Sequence, residues 1–430
     1  MIDRYTRPAM GALWSEDNKF AVWLEIELLA SEKMAQMGLI PRTAPGRMRR
    51  NARFDAKRIE KIEEKTRHDV IAFLTDVGRH LGPDEKYLHL GLTSSDVLDT
   101  ALSVRMLRAG ELLLEGLQPL LAHTRRLARR YINTPIAGRT HGVFAEPTSV
   151  GLKFALWYAD LIRGRRRLKA AIHSIAVGKI SGAVGNFAHL DPRVEAHVCR
   201  KLGLRPAPIS TQVLQRDRHA EYIFAIAALG ATAEKIAQEI RLYHRTETGE
   251  MTEGFFAGQR GSSAMPHKKN PILCERICGL ARLLRGYVAP SLENVALWHE
   301  RDITHSSVER VIIPDATITL DYMFHLLNSV LGNLGVHSER MRKNLAANDA
   351  VFSQRLLLAL ADRLGSRDQA YAIVQKLALN ATPEQPLREC AKSDPTIRQH
   401  LTKAEIDAAF DWKHYLRRAR MIMNRALAQK

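Results

Sequence analysis

One segment of the sequence combines a cation, small hydroxyl residues and a helix start in a form that suits chemistry on an anion. It runs from Gly261 to Pro271 and reads Gly-Ser-Ser-Ala-Met-Pro-His-Lys-Lys-Asn-Pro. Lys268 supplies a positive charge, and a helix that starts at Asn270 offers free backbone N–H groups to an anion. The glycine and the prolines interrupt helical structure and allow the segment to move. The pattern is equally typical of a polar connector that ends in a helix cap, so spacing alone does not decide.

The ten residues from Ser262 to Pro271 resemble the signature loop of the fumarase/aspartase superfamily. Its members are homotetrameric lyases that release fumarate from succinyl compounds. Four further segments resemble the same superfamily, in the same order along the chain: Arg67–Val70, His89–Asp96, Gly138–Gly142 and Gly182–Gly185. The resemblance therefore extends over essentially the whole sequence.

Three stretches resemble the branch of the superfamily that acts on succinylated purine nucleotides: Met1–Tyr5, Arg67–Val70 and Trp298–Arg310. The resemblance implies a β-elimination of fumarate from a succinylated adenine nucleotide, and from the equivalent succinylated aminoimidazole ribonucleotide. Two departures leave alternatives within the fold, namely argininosuccinate lyase or a carboxymuconate cycloisomerase. Lys269 stands where the branch more usually has Arg, and Asn186 stands where it has Thr.

The resemblance also implies the catalytic groups of an elimination, which needs a base, an acid and cations. Ser262 would be the general base, and Lys268 would be the cation beside the carboxylate on which negative charge accumulates. Ser263 would contact the substrate, and the two serines could exchange roles. His141 would be the general acid, with Glu275 orienting its imidazole.

His68 completes the implied catalytic set. The remaining residues would bind a substrate that carries two carboxylates and a phosphate, which requires several anion sites. The residues implied for the phosphate are Arg4, Tyr5, Ser306 and Arg310. Those implied for the succinyl carboxylates are Thr93, Ser94, Lys268 and Asn270. Those implied for the rest of the pocket are Arg67, His68, Asp69, His89, Gln212 and Arg301.

Helical periodicity runs through almost the whole sequence and predicts the elements that must position these residues. Long helices are predicted over residues 96–131, 147–177, 215–250, 271–300 and 306–335, and a short extended piece over 132–139. The pattern predicts an all-α chain of three domains: an N-terminal helical domain (1–93), a central long-helix bundle (94–341) and a C-terminal helical domain (342–430).

The resemblance adds an assembly to this fold. It implies that the central bundle forms the core of a homotetramer. Each active site would then be shared between three subunits, which supply the His68 to Ser95 region, the His141 region and the signature loop.

The charge balance favours an anionic partner. Lys and Arg total 64 against 46 Asp and Glu, so the formal net charge is +18. Such a surplus also suits a non-catalytic helical scaffold that binds RNA, an alternative from a different class of protein. Because that scaffold leaves the signature loop unexplained, the expected partner is a small anionic metabolite and not nucleic acid.

Other signals point to a cytoplasmic enzyme without a cofactor. No stretch is apolar enough to span a membrane, and the charged start of the sequence lacks the apolar region of a signal peptide. Cys274 and Cys278 have no second pair nearby, which favours core packing over metal ligation. No glycine-rich nucleotide loop is present, so neither a metal nor an organic cofactor is expected.

Overall fold

The computed structural model of the chain describes residues 1–255, 258 and 260–429. Helices account for 68% of the chain, which confirms the all-α prediction. The first helices are α1 (Pro8–Trp14), α2 (Glu16–Gln36), α3 (Ala44–Asn51), α4 (Ala56–Thr66) and α5 (Asp69–Gly78), with 3-10 turns at Asp3–Tyr5 and Gly82–Tyr87. Within the described ranges, no helix is both long and apolar enough to cross a membrane.

The middle of the chain contains the long helices. Its helices are α6 (Ser94–Arg130), α7 (Val150–Ile175), α8 (Pro192–Lys201), α9 (Asp217–His244), α10 (Ile272–Gly286), α11 (Val288–Glu293), α12 (Thr304–Gly332) and α13 (Ser338–Ala346). The remaining helices are shorter: α14 (Ser353–Leu364), α15 (Arg367–Asn380), α16 (Leu387–Ser393), α17 (Pro395–His400), α18 (Lys403–Ala409), α19 (Lys413–Leu416) and α20 (Ala419–Leu427), after a 3-10 turn at Asp349–Phe352.

Three small two-stranded sheets accompany the helices. The longest pairs β1 (Pro135–Thr140) with β2 (Val143–Ser149) in antiparallel fashion. The others pair β3 (Val177–Gly178) with β4 (Arg205–Pro206) in parallel and β5 (Met251–Thr252) with β6 (Gly335–Val336) in antiparallel fashion. The extended piece predicted over 132–139 therefore overlaps β1.

One of the five predicted long helices is broken. Residues 271–300 form α10 and α11 with a break at Tyr287, and residues 294–303 are not helical. Pro290 gives a physical reason for the break, because it lacks an N–H and its ring crowds the carbonyl of Gly286 four residues earlier. In contrast, α6 continues through Pro119 and α12 continues through Pro314.

Contacts within the chain divide it into two compact units. The first unit comprises residues 1–118, 164–233 and 279–325, and the second comprises 119–163, 234–278 and 326–430. Each unit has its own apolar core. The first core includes stacked Phe20 and Phe73 rings, with centroids 5.8 Å apart. The second includes Phe352 against Phe410, with centroids 5.7 Å apart. The three-domain division of the sequence stays a prediction.

A buried carboxylate fixes the start of α6 in the first unit. Asp96 lies in the first turn of the helix and is fully buried, as is Lys179, whose ammonium group it binds. The Asp96 carboxylate also accepts hydrogen bonds from the backbone N–H groups of Ser181 at 3.0 Å, Gly182 at 3.2 Å and Thr93 at 2.8 Å. One side chain therefore ties the Thr93 turn to the loop that follows β3.

Replacing Lys179 by Met should destabilise the protein, because the charge of Asp96 would remain buried without its cation. We expect the free energy of unfolding to fall by about 3–5 kcal/mol, measured by urea denaturation. Arg363→Met is the matched control, since the Arg363–Glu405 pair is largely exposed and should contribute less than about 1 kcal/mol. A Lys179→Met protein as stable as the control would contradict this account.

Candidate active site

A cavity of about 220 Å³ in the first unit brings together four predicted binding residues. Asp69, Arg301, Ser306 and Arg310 all line it. Asp69 is the first residue of α5, whereas Ser306 and Arg310 lie one turn apart near the start of α12. The Arg310 guanidinium donates to the Asp69 carboxylate at 2.6 Å and remains half exposed. The cavity can therefore offer a cation and a hydroxyl group to an anionic ligand.

Gln212 and Arg301 are brought into direct contact. The Arg301 guanidinium donates to the side-chain carbonyl of Gln212 at 3.1 Å, and both residues line a second cavity of about 270 Å³. Arg301 also lines the cavity of Ser306, so it contributes to the lining of both cavities. Gln212 and Arg301 therefore form a continuous polar lining, as expected for residues of one pocket.

Three predicted site residues have an unusual backbone conformation. Arg67, His89 and His141 have φ angles of 55°, 57° and 54°, in the left-handed region that residues with a side chain rarely adopt. Only two other residues that are not glycine share this feature in the described part of the chain. Strained backbone of this kind concentrates at functional sites, where the surrounding structure holds it in place.

His89 is held by a buried carboxylate. Glu27 of α2 is almost fully buried and accepts hydrogen bonds from the His89 backbone N–H at 2.8 Å and from its Nδ1 at 2.6 Å. Burial by itself lowers the pKa of His89, but the hydrogen bond and the charge of Glu27 outweigh it, so the net shift is upward. The pair therefore fixes the orientation of the imidazole and favours its charged form.

A buried charge cluster lies beneath the start of α12. The Arg216 guanidinium binds Asp99 at 2.6 Å and Glu309 at 3.0 Å, and Glu309 lies 3.1 Å from Nδ1 of His305. Burial acts to raise the pKa of Glu309, but His219, a bond to His305 and Arg216 outweigh it and lower the value to about 2. The cluster therefore holds fixed charges that join α6 and α12 next to the cavity.

The other predicted residues of the first unit lie at element starts. Arg4 and Tyr5 occupy the 3-10 turn before α1, and Thr93 and Ser94 lie at the start of α6. His68 caps α5, since its Nδ1 accepts a hydrogen bond from the N–H three residues later at 3.4 Å. In the part of the chain that the structure describes, none of these five lines the cavity of Ser306.

The signature loop lies in the second unit and folds back on itself. The backbone N–H groups of Ala264 and Met265 donate to the Ser262 hydroxyl oxygen at 3.3 and 3.1 Å. The Asn270 side chain donates to the Gly261 carbonyl at 2.9 Å. A Cβ atom on Gly261 would lie 2.2 Å from the carbonyl oxygen of Lys268, so only glycine fits at this point. The conformation of the loop is therefore stabilised by hydrogen bonds between its own residues.

A broad cavity of about 710 Å³ adjoins this loop. Lys268, Asn270 and Glu275 line it, and Glu275 lies in the first turn of α10. The N-terminus of α10 also receives a buried carboxylate, since Glu253 accepts hydrogen bonds from the N–H groups of Leu273 at 3.1 Å and Cys274 at 2.9 Å. The cavity is therefore lined by one cation, Lys268, and one carboxylate, Glu275, of the predicted catalytic residues.

His141 lies at the tip of the hairpin between β1 and β2. Thr140 pairs with Val143, so His141 and Gly142 form a two-residue turn, and both have positive φ angles of 54° and 78°. A type I′ hairpin turn requires this conformation at both positions. Next to this turn, Arg139 makes two hydrogen bonds of 2.9 Å to the buried carboxylate of Glu250. The imidazole is therefore presented on an exposed, braced tip.

The structure of one chain does not assemble the proposed acid and base. Among the described residues, no hydrogen bond joins His141 to Glu275 or to Ser262. Both His141 and Lys268 are exposed. The second unit thus carries the predicted acid, base and cation, whereas the first unit carries the residues predicted for the phosphate.

Several supporting residues were not predicted from the sequence: Glu27, Asp99, Lys179, Arg216, Glu250, Glu253 and Glu309. The sequence did contain a signal for Glu27, because the apolar residues Trp23 and Ala30 stand four before and three after it, on the same face of the helix. A carboxylate in such an apolar stripe needs a partner. The partner itself, at residue 89, could not be read from the pattern.

Comparison with known proteins identifies the family of the chain. A family model described as Lyase matches residues 3–286, and one described as Adenylosuccinate lyase C-terminus matches residues 349–426. The chain is 48% identical to the adenylosuccinate lyase of Bacillus subtilis (strain 168) and 49% identical to that of Thermotoga maritima, each over 99% of both chains.

Solved structures agree at the level of the fold. A fumarate lyase from Mesorhizobium sp. BNC1 superposes with a TM-score of 0.91 at 26% identity, over 100% of both chains. A 3-carboxy-cis,cis-muconate lactonizing enzyme from Pseudomonas putida gives 0.90 at 27% identity, over 99% of this chain and 97% of that one. Fold and site together define a lyase of the fumarase/aspartase superfamily. More narrowly, the chain belongs to the adenylosuccinate lyase family.

Glu27→Gln should destabilise the protein more at low pH than at high pH. Because the pKa of His89 is raised in the folded state, its charged pair with Glu27 stabilises the fold below about pH 6.5 and is lost as the pH rises through the raised value. We expect a loss of about 1.5–3 kcal/mol at pH 6 and a smaller loss at pH 9, measured by urea denaturation. In a His89→Gln background, the effect of Glu27→Gln should not change between these pH values. A loss that is equal at both pH values in the wild-type background would contradict the pairing.

Proposed function

We propose that the protein releases fumarate from adenylosuccinate to leave AMP, and from succinylaminoimidazole carboxamide ribotide (SAICAR) to leave AICAR, in purine nucleotide biosynthesis. The observation that carries the proposal is the identity of 48–49% to two adenylosuccinate lyases over 99% of the chain. The reaction needs a base, an acid and cations, which side chains can supply, so we propose that it requires neither a metal nor an organic cofactor. We also propose that the protein acts in the cytoplasm.

Ser262 is the general base in this proposal and takes a proton from the carbon next to a succinyl carboxylate. A serine hydroxyl is a weak base, so its alkoxide form must be stabilised. The two N–H groups that donate to its oxygen supply such stabilisation, and they favour Ser262 over Ser263 as the base. Lys268 is the cation that stabilises the charge which develops on the carboxylate. Ser263 contacts the substrate.

His141 is the general acid and gives a proton to the departing nitrogen. An imidazole suits this role because it titrates near neutral pH. Its place on an exposed hairpin tip lets it reach a substrate held by another subunit. Glu275, on α10, orients the imidazole in the assembled site, and His68 adds a further titratable group from the start of α5.

The phosphate is bound where Arg310 and Ser306 face one cavity, together with Arg4 and Tyr5. Arg310 supports this role because its guanidinium is half exposed and already binds an anionic group, the carboxylate of Asp69. The succinyl carboxylates are bound by Thr93, Ser94, Lys268 and Asn270. The residues that surround the rest of the substrate are Arg67, His68, Asp69, His89, Gln212 and Arg301.

We further propose a homotetramer in which three subunits share each active site. Sharing is supported by the second unit of one chain, where no hydrogen bond among the described residues joins His141 to Ser262 or to Glu275. Large apolar side chains left exposed on the long helices also support burial in an assembly, among them Phe224 (56% exposed) and Leu283 (44%).

Purified protein mixed with adenylosuccinate should release fumarate and AMP in equal amounts, and SAICAR should also be cleaved. Because the phosphate is held by several of the proposed contacts, argininosuccinate, which lacks a phosphate, should be cleaved at least about 100-fold more slowly in kcat/KM. The measurement is fumarate release from a panel of succinylated compounds. Release from argininosuccinate alone would reject the proposed substrate, and tight RNA binding without any fumarate release would favour the scaffold.

Ser262→Ala and His141→Ala should each lower kcat by about 100-fold or more, because each removes a proton-transfer group. Ser263→Ala is the matched control for the base and should affect KM more than kcat. Near-normal turnover of Ser262→Ala would reject that residue as the base.

Mixing the two inactive variants tests the shared site. Because His141 and Ser262 come from different subunits in the proposal, mixed tetramers would contain some sites with both residues intact. Activity should therefore reappear after subunits exchange. Continued inactivity of tetramers shown to be mixed would contradict the sharing, as would an active monomer in gel filtration.

A further inference from the structure

His244, the last residue of α9, makes two backbone hydrogen bonds that no role described so far explains. Its Nδ1 lies 3.1 Å from the backbone nitrogen of Glu253, and its Nε2 lies 2.9 Å from the carbonyl oxygen of Lys269. These two partners stand at opposite ends of the chain segment that contains the signature loop. One imidazole therefore bridges the point where the segment leaves β5 and the point where it enters α10.

The chemistry of the partners determines the protonation of this ring. A backbone N–H can only donate, so Nδ1 must carry a lone pair, and a carbonyl oxygen can only accept, so Nε2 must carry the hydrogen. The bridge thus requires the neutral imidazole in one tautomer. Few side chains could replace it, because the role needs an acceptor and a donor on opposite sides of one rigid ring.

Glu253 extends the bridge into the following helix. Its carboxylate accepts the N–H groups of Leu273 and Cys274 in the first turn of α10, while its own N–H donates to His244. Residue 253 is 5% exposed, so its carboxylate needs these hydrogen bonds in place of water. Two side chains, those of His244 and Glu253, thereby join the end of α9, the start of α10 and both ends of the segment from Glu253 to Lys269.

We propose that His244 is a positioning residue which, through Glu253 and Lys269, sets the separation of the ends of the segment from Glu253 to Lys269 and so the placement of Ser262 and Lys268 within it. The inference deepens the proposed function and rests on it. His244 lines the cavity of Lys268 and Asn270, so its bridge acts beside the groups that it positions. The charged and titratable residues that share this cavity are Arg241, Arg245, His267, Lys268, Lys269 and Glu275.

Three substitutions separate the two bonds. The amide of Asn lies near the position of Nδ1, so His244→Asn can keep the bond to Glu253, whereas His244→Gln can keep the bond to Lys269. His244→Ala loses both. His337→Ala is the matched control, because His337 is also an imidazole bound to β5, through the Thr252 hydroxyl at 3.0 Å, but among the described residues no hydrogen bond joins its ring to the loop.

We expect His244→Ala to lower kcat for fumarate release by about 10- to 100-fold with less effect on KM, since misplacing reacting groups by about 1 Å can cost this much. His244→Asn and His244→Gln should fall between Ala and wild type, and His337→Ala should stay within about twofold of wild type. Hydrogen exchange of the Glu253 amide should accelerate in the Ala and Gln variants but not in the Asn variant.

Two results would overturn the inference. One is a kcat within about twofold of wild type for His244→Ala or, if that variant does not fold, for both His244→Asn and His244→Gln. The other is a loss of activity with unchanged exchange of the Glu253 amide, which would place the effect elsewhere. Wild-type protein that releases no fumarate would instead reject the proposed function, and amide exchange would still decide whether His244 holds the loop ends.

Discussion

The buried pair of Asp96 and Lys179 is the interaction on which the geometry of the first unit depends. Ion pairs of this kind add little net stability, because both charges lose their hydration. This pair matters because it orients the chain: the carboxylate of Asp96 also accepts hydrogen bonds from the backbone N–H groups of Thr93, Ser181 and Gly182. The turn that precedes α6 and the loop that follows β3 therefore have one permitted arrangement. Both segments belong to the motifs that mark the superfamily.

Buried carboxylates also hold the other segments that carry predicted site residues. Glu27 holds His89, Glu250 holds the arm that carries His141, and Glu253 holds the start of α10. Each carboxylate is buried and binds backbone or a cation close to a predicted site residue. His89 and His141 have left-handed backbone conformations that cost free energy. These conformations persist because such contacts leave the chain no relaxed alternative. Rigid support of this kind is what a site assembled from several segments requires.

Much of the fold could be predicted from the sequence, because helical periodicity is a local property. The long helices have the predicted order, and the break at Tyr287 follows from Pro290, a local effect that periodicity alone does not detect. The site residues came from the resemblance to a superfamily and not from spacing. Arg216 could not be predicted, because its partners Asp99 and Glu309 lie far away in the sequence and only the folded chain brings them together. Glu253 could not be predicted either, because its bonds to His244 and to the start of α10 depend on how two helix ends meet. The sequence also could not indicate which serine has N–H donors, since that depends on the path of the loop after Gly261.

Some of the basic residues are paired with carboxylates, which weakens the link between the net charge and nucleic acid. Two arginines of α3 are examples: Arg47 binds Asp84 at 2.7 Å, and Arg49 binds Glu25 at 2.9 Å. A surface for RNA would need such residues free and aligned. The cations that matter here are those at the cavities, above all Arg310. Its exposed guanidinium is paired with a single carboxylate that a phosphate could replace. A positive surface around such cavities would still raise the local concentration of a substrate with several negative charges, an effect that salt screens. The charge is thus better understood as attraction of a small polyanion toward a few specific cations than as a platform for a nucleic acid.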